Sequence, residues 1–355
     1  MSRLDFLDAG RGIAILGVIA VHTVQNFSTG IKQLDFVIGM GQFGVQLFFM
    51  ISAYTMMHTL NARVEKEKYV IANFWIRRFC RIAVPFWAGI AVYQCFRFAH
   101  VDYFVSNTSD WYPIITSFLL LHGFWPSSLN SIVPGGWSIA TEVVFYMIFP
   151  VIYKMNGNLL KISLFGILIM LLDRLAIRPT YSEVFSLFNL NNSSQDMSSN
   201  FFYYYIFNQI PVFLFGIFIY ILAHDKKGIG LSIAETIAML FFLFGFILAS
   251  PKLSVISLIG ALVLLIMRRI EHFPNLLIWI GRQSYSLYLF HFAVINMMLL
   301  ILGHRPILHS IGVFLCGYIV AVTGAIMVSL ATKPLLEDVG SSIGRFIVNL
   351  NERRI

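Results

Sequence analysis

The chain is 355 residues long, 58% apolar and only 12% charged, with a net charge of +8 and a mean hydropathy of +0.78. A water-soluble domain of this length needs far more charge to cover its surface, so the composition excludes one and points to a multi-pass membrane protein. The basic residues cluster in short segments beside apolar runs, which is how orientation is encoded in a bilayer; nucleic acid is not the partner they imply.

In chain order, runs long and apolar enough to cross a bilayer core, which takes about 20 residues, fall at 11–28, 40–60, 81–98, 137–153, 159–173, 203–222, 233–249, 253–268, 279–302 and 311–332. The first is read as a retained helix, because Asp5, Asp8 and Arg11 precede it and no small-x-small cleavage site follows. Residues 113–125 are apolar but short and run into a breaker-rich stretch at 126–136, so a re-entrant or interfacial segment is expected there. The expected fold is an all-α polytopic membrane helix bundle of about ten transmembrane helices plus that segment. Arg63, Lys66, Lys68, Arg77, Arg78 and Arg81 mark the 61–81 region as cytoplasmic. With ten spans the same side receives both termini, Lys154, Lys161, Lys226, Lys227, Arg268, Arg269, Lys333 and Arg345. The opposite loops hold few basic residues, among them Lys32, Arg174, Arg178, Lys252 and Arg305. Residues 174–202, rich in Asn and Ser, read as a polar outer loop, 1–332 as one membrane domain, and 333–355 as a short cytoplasmic tail.

Ionisable groups inside spans are costly and mark function by default. His22 follows Arg11 by eleven residues, about 16 Å of helix, which places it near mid-membrane as a general base or, equally, as a helix-packing histidine. Arg77 and Arg81 share a helix face with Arg78 beside them, a forked anion site or plain topological anchoring. Pro85 kinks or starts the span that follows. Ser138 and Glu142 share a face four residues apart, and a carboxylate one turn into an apolar helix calls for a partner: a histidine, an arginine or a substrate hydroxyl. Ser284, Tyr288 and His291 fall on one side of a helix and either line a polar cavity or form a packing seam. The three cysteines, Cys80, Cys95 and Cys316, have no neighbour at metal or redox spacing, so no metal is expected.

Together these segments resemble the membrane acyltransferase-3 family, the bacterial integral-membrane sugar O-acyltransferases. The resemblance runs from Leu7 to about Leu330: Leu7-Asp8-Ala9-Gly10-Arg11 with His22, Phe48-Phe49-Met50-Ile51-Ser52-Ala53-Tyr54, Arg77-Arg78 and Arg81-Ile82 with Pro85, Trp137-Ser138 through Glu142 to Pro150, Pro211 to Gly216, and Gly281 to His291. Ala53 stands where glycine usually follows the serine, and Val143 where a polar residue often follows the glutamate. The resemblance implies transfer of an acyl group, most often acetyl, from cytoplasmic acyl-CoA to a hydroxyl of an envelope or extracytoplasmic polysaccharide, at the bacterial cytoplasmic membrane. It implies His22 as base or acyl carrier, and Glu142 orienting His22 or binding the sugar. Arg77, Arg78, Arg81 and Arg11 would serve the donor, and Trp137, Ser138, Tyr288 and His291 the acceptor. The partners are acyl-CoA, a glycan and membrane lipids. A transporter or flippase is the competing class, disfavoured by the lack of an internal repeat.

Overall fold

The structure, a computed structural model, describes residues 4–99, 111–155, 157–187, 195–224, 231–303 and 309–353. Among them there are helices and turns and no strand. In chain order the helices are α1 (Asp5–Val24), α2 (Lys32–Gly39), α3 (Gly44–Asn61), α4 (Val70–Phe98), α5 (Tyr112–Phe118), α6 (Gly136–Tyr153), α7 (Leu159–Leu172), α8 (Arg178–Leu187), α9 (Gln195–Tyr204) and α10 (Ile206–His224). Then follow α11 (Ile233–Ala249), α12 (Pro251–Met267), α13 (Asn275–Arg282), α14 (Ser284–Leu302), α15 (Ile311–Thr332) and α16 (Asp338–Arg353).

Each of the ten expected spans contains a helix. Seven helical stretches among the described residues are long and apolar enough to cross a membrane; α7, α11 and α12 are shorter, at 14, 17 and 17 residues. The outward faces of α7, α11, α12 and α15 carry exposed Leu168, Leu171, Leu240, Phe241, Ile259, Leu262, Ile319 and Met327, a surface suited to lipid rather than water.

The inner ring consists of α1, α3, α4, α6, α10 and α14. α1 lies against α13, α3, α14 and α15, and α3 against α10. Association of apolar helices in lipid rests on close backbone approach rather than on a hydrophobic drive. α1 and α13 meet that need with glycine on both sides: a Cβ at Gly281 would overlap the Asp8 carbonyl, and one at Gly12 the Leu277 carbonyl. Hydroxyls lace the ring: Tyr285 donates to the Ile82 carbonyl at 2.9 Å and Tyr93 to that of Leu289 at 2.9 Å.

Three regions differ from expectation. α4 begins at Val70, eleven residues before the expected span, and runs through Pro85 to Phe98. The stretch read as a polar loop instead carries α8 and α9, anchored by Arg178, which pairs with Asp173 at 2.8 Å and lies over the rings of Phe202 and Tyr205. Residues 188–194 lie outside the described residues, as do Lys226, Lys227 and Arg305 from the charge comparison. The supposed tail is helical: a π-helical turn, Lys333–Glu337, leads into α16, which packs along α4.

The short 113–125 segment forms α5 and a single 3-10 turn, His122–Phe124. It does not make a spanning helix, and Ser117, His122, Ser128 and Ser131 within and beyond it are buried against protein. His122 Nε2 donates to the Gly136 carbonyl at 2.9 Å, and its ring stacks on Phe86, which pins the segment to the start of α6.

Candidate active site

The inner ring is not solid. Cavities lie end to end through it, adjacent ones sharing lining residues, from an arginine-rich end to His22. At the arginine end, α4 presents Arg77 and Arg78 on one turn and Arg81 on the next. Arg77 pairs with Glu67 at 2.8 Å. Arg78 lies over the rings of Phe74 and Tyr146, 5.7 and 5.5 Å from their centroids. Arg81 lines three of the cavities and, among the described residues, has neither hydrogen bond nor ion pair. A guanidinium without a fixed acid keeps its five donors for a ligand. The start of α1 (Leu4, Leu7, Asp8) and Lys333, Glu337 and Asp338 line one cavity at this same end.

Arg11 stands at the junction of two cavities. It donates to Asp8 Oδ1 at 2.9 Å and to Thr55 Oγ1 at 2.8 Å, and Asp8 also accepts from Arg282 Nε at 3.1 Å. Asp8 therefore fixes both Arg11 and the α1–α13 pair, which makes Arg11 a held wall group more than a free ligand.

The central cavity holds Glu142 among Arg11, Arg78 and Arg81. The partners expected of that carboxylate are present in the protein itself: Ser52 Oγ donates to Oε1 at 2.5 Å and Tyr146 Oη to the same oxygen at 2.6 Å. Two hydroxyl donors and nearby guanidinium charge offset the cost of placing this carboxylate inside an apolar bundle. At the far end of this cavity Tyr288 and Val45 form a neck shared with the next. Tyr288 Oη donates to the Gly135 carbonyl at 3.0 Å and accepts from Ser138 Oγ at 2.8 Å. Gly135 has φ +73°, and a Cβ there would stand 2.9 Å from Tyr288 Oη, so both the left-handed turn that opens α6 and the neck require glycine.

Beyond the neck, His22 faces a cavity lined by Gln25, Gln42, Gln46, Asn130, Trp137, Tyr203 and Tyr204. His22 lies in the last turn of α1 and not at its middle. The helix starts six residues earlier than Arg11 and closes at Val24, where Asn26 Nδ2 turns back onto the His22 carbonyl at 3.1 Å. His22 Nδ1 is 3.1 Å from Gln25 Oε1. An amide oxygen only accepts, so the proton sits on Nδ1 and the Nε2 lone pair is left for chemistry. The ring packs on Phe292, centroids 4.3 Å apart.

The structure thus brings together His22, Trp137, Ser138, Tyr288, Glu142, Arg78, Arg81 and Arg11 along one column, with Arg77 at its mouth. Two expectations change. Glu142 does not orient His22: its hydrogen bonds go to Ser52 and Tyr146, one cavity away, and Gln25 holds the imidazole instead. His291 does not line the cavities. It is fully buried behind His22, ring centroids 5.3 Å apart, with Nδ1 on the Tyr288 carbonyl at 2.7 Å and Nε2 unpartnered among the described residues. The cavity follows the i, i+4, i+8 row Ser284, Tyr288, Phe292, which leaves His291 about 60° round the helix from Tyr288. Sequence reasoning missed Gln25, Gln42, Gln46, Asn130, Tyr203 and Tyr204. Gln46 was the findable one, since a glutamine inside an apolar run is as anomalous as a histidine; it is buried, with Oε1 unpartnered among the described residues.

A bundle pierced by a column of polar cavities, cationic at one end and carrying an imidazole at the other, defines a membrane-embedded protein with an internal polar site. The chain matches the acyltransferase domain family over residues 4–330 and belongs to that family. It is 25% identical over 332 residues to the peptidoglycan O-acetyltransferase OatA of Listeria monocytogenes, covering 82% of this chain and 49% of that protein. It is 27% identical over 336 residues to a putative O-acetyltransferase of Staphylococcus aureus, covering 83% of this chain and 51% of that one. The acyltransferase MdmB of Streptomyces mycarofaciens is 25% identical over 161 residues, 43% of this chain and 40% of its own. The chain spans about half the length of the first two relatives. No solved structure matches it.

Proposed function

We propose that this chain is an integral-membrane O-acyltransferase that moves an acyl group, acetyl foremost, from cytoplasmic acyl-CoA to a hydroxyl of a cell-envelope polysaccharide. The observation that carries this reading is the column of cavities joining the arginine end to His22. In this reading the chain crosses the bacterial cytoplasmic membrane ten times with both ends inside. The excess of Lys and Arg at one end supports that orientation, as does the position of α1's start and Lys333 at the same end.

Arg77, Arg78 and Arg81 fit nucleotide phosphates, which cannot leave the aqueous side. Acyl-CoA supplies an activated thioester on a slender arm, and the central cavity past Ser52, Glu142 and Tyr288 leads such an arm toward His22. His22 Nε2 takes the proton of the acceptor hydroxyl as its oxygen attacks and returns it to the departing thiol. Glu142 serves the donor side of the neck, balancing Arg78 and Arg81. Amides and aromatic rings around His22 suit a sugar: amides bond hydroxyls in both senses, and rings cover its apolar faces. The peptidoglycan acceptor in the Listeria relative's name makes a peptidoglycan sugar the first to try.

The test is thiol release from acetyl-CoA by purified protein in nanodiscs, with and without peptidoglycan fragments or other envelope glycans, and mass spectrometry of the products. Glycan-dependent release with a mass gain of one acetyl group is the expected result. A protein that neither releases thiol nor modifies any glycan is not this enzyme.

A further inference from the structure

α16 lies beyond the residues that match the family, which end at 330. Gly340 and Gly344, four residues apart and so on one helix face, let it come into backbone contact with the turn of α4 that bears the arginines. A Cβ at Gly340 would overlap the Cys80 carbonyl, and one at Gly344 would stand 3.4 Å from the Arg77 Cα. The far end is fastened by Glu352. Its Oε2 accepts from the Lys68 backbone N–H at 3.1 Å, and its Oε1 from that of Tyr69 at 3.1 Å and from Asn73 Nδ2 at 2.6 Å. Tyr69 is the N-cap of α4 and gives it no side-chain cap of its own, so a carboxylate from α16 occupies the place where a helix start favours negative charge. Asn351 Nδ2 bonds Asn73 Oδ1 at 3.0 Å beside it.

Pinned in this way, α16 forms a wall of the cavity at the arginine end. Ser341 and Arg345 line it together with Arg63, Arg77, Arg78 and Arg81, and no carboxylate is among the lining residues. Among the described residues Arg345 has only a hydroxyl for a partner, Ser342 Oγ at 2.8 Å. Of the five guanidinium groups around this opening, Arg77 and Arg63 share the single carboxylate of Glu67, at 2.8 and 3.4 Å, so most of the positive charge is left to an anion of several charges.

We infer that α16 is a working part of the donor site, with Arg345 and Ser341 binding the phosphates of the acyl donor opposite Arg77, Arg78 and Arg81, and Glu352 holding the helix in place. The donor's identity rests on the proposed function; the anion site does not.

The full chain in nanodiscs is titrated with CoA and, separately, with inorganic pyrophosphate. Arg345→Ala should weaken both about tenfold, the loss of one charge-assisted contact, and flatten the dependence on ionic strength. Arg345→Lys should recover part of the affinity. Arg174→Ala, which removes the same charge beyond α7, should leave both ligands bound as in the wild type and controls for net charge. Glu352→Gln should weaken binding without removing a charge from the cavity. If Arg345→Ala binds both ligands as tightly as Arg174→Ala, the inference is overturned. If pyrophosphate binding depends on Arg345 but CoA does not bind at all, the anion site stands and the donor reading falls. If the wild type binds neither, both fall.

Discussion

The two ends of the cavity column are built from different chemistry. At the arginine end, recognition is by charge, and the charge is rationed: Arg77 is held by Glu67 and Arg11 by Asp8, while Arg81 stands free. At the His22 end no ionised group is among the described residues that line the cavity, and the walls are amides, phenols, indole and apolar side chains. Under the proposed function the contrast follows from what donor and acceptor can each offer. A phosphate-bearing group is recognised by guanidinium forks at a water-facing opening. A neutral hydroxyl-bearing group offers no charge and must be sorted by hydrogen-bond geometry and ring contact. Glu142, hydrogen-bonded by Ser52 and Tyr146, sits on the charged side of the neck that Tyr288 forms between them.

Removing the one base at the neutral end should have the largest effect. His22→Ala is expected to lower acyl transfer by about 10²–10⁴-fold, with CoA affinity by calorimetry unchanged. A variant that keeps near wild-type turnover would erase the distinction between the two ends. Next, Arg81→Ala should raise the donor KM by roughly tenfold or more, as expected for a lost charged contact, and leave the acceptor KM where it was. Arg81→Lys should restore only part of it, since an ammonium cannot reproduce the planar fork. An equal rise in both KM values would mean that the arginine supports the fold instead of the donor.

The same contrast explains what could be read in the sequence. His22 and Glu142 stood out because an ionisable side chain in an apolar run has few structural excuses, and Arg78 and Arg81 because they fall three residues apart in a basic cluster at the mouth of a span; with Arg11, all of them line the column. The aromatic half of the acceptor end was hidden. Tyr203 and Tyr204 belong to a run of five aromatic residues, 201–205, and only the packing of α9 on α6 separates the two that line the cavity from Tyr205, which is buried against Tyr181 and Phe201. For His291 the packing alternative holds: the cavity winds along a four-residue row, so a shared helix face is not a shared cavity. The packing of α16 on α4 was hidden because 333–355 carries too many polar residues to read as a span, although Gly340 and Gly344 share the face that makes the close contact.

Gln25 tests whether the neutral end needs its second layer. Gln25→Leu keeps the bulk and removes the acceptor for Nδ1–H, so the imidazole loses its fixed tautomer and orientation. A fall in kcat of about tenfold is expected, smaller than for loss of the base itself, with both KM values little changed. Gln25→Glu should keep the acceptor and retain more activity than Gln25→Leu. If the two variants are equally impaired, the hydrogen bond at 3.1 Å is incidental to catalysis.

The smallest effects should come from the acceptor walls, and they are the most specific. Trp137 packs on Tyr204 with ring centroids 4.4 Å apart, and both line the His22 cavity. Trp137→Leu keeps an apolar side chain but removes the flat face a sugar would stack on, a contact worth about 0.5–1.5 kcal/mol, or roughly two- to tenfold in the acceptor KM. The donor KM should move little, because the charged contacts assigned to the donor lie at the arginine end, beyond the neck of Tyr288 and Val45. Shape and not charge does the sorting here, so raising the salt concentration should weaken the donor and leave the acceptor untouched. An acceptor KM that tracks ionic strength as steeply as the donor KM would show that a charged group reaches His22 and that the two ends are not chemically distinct.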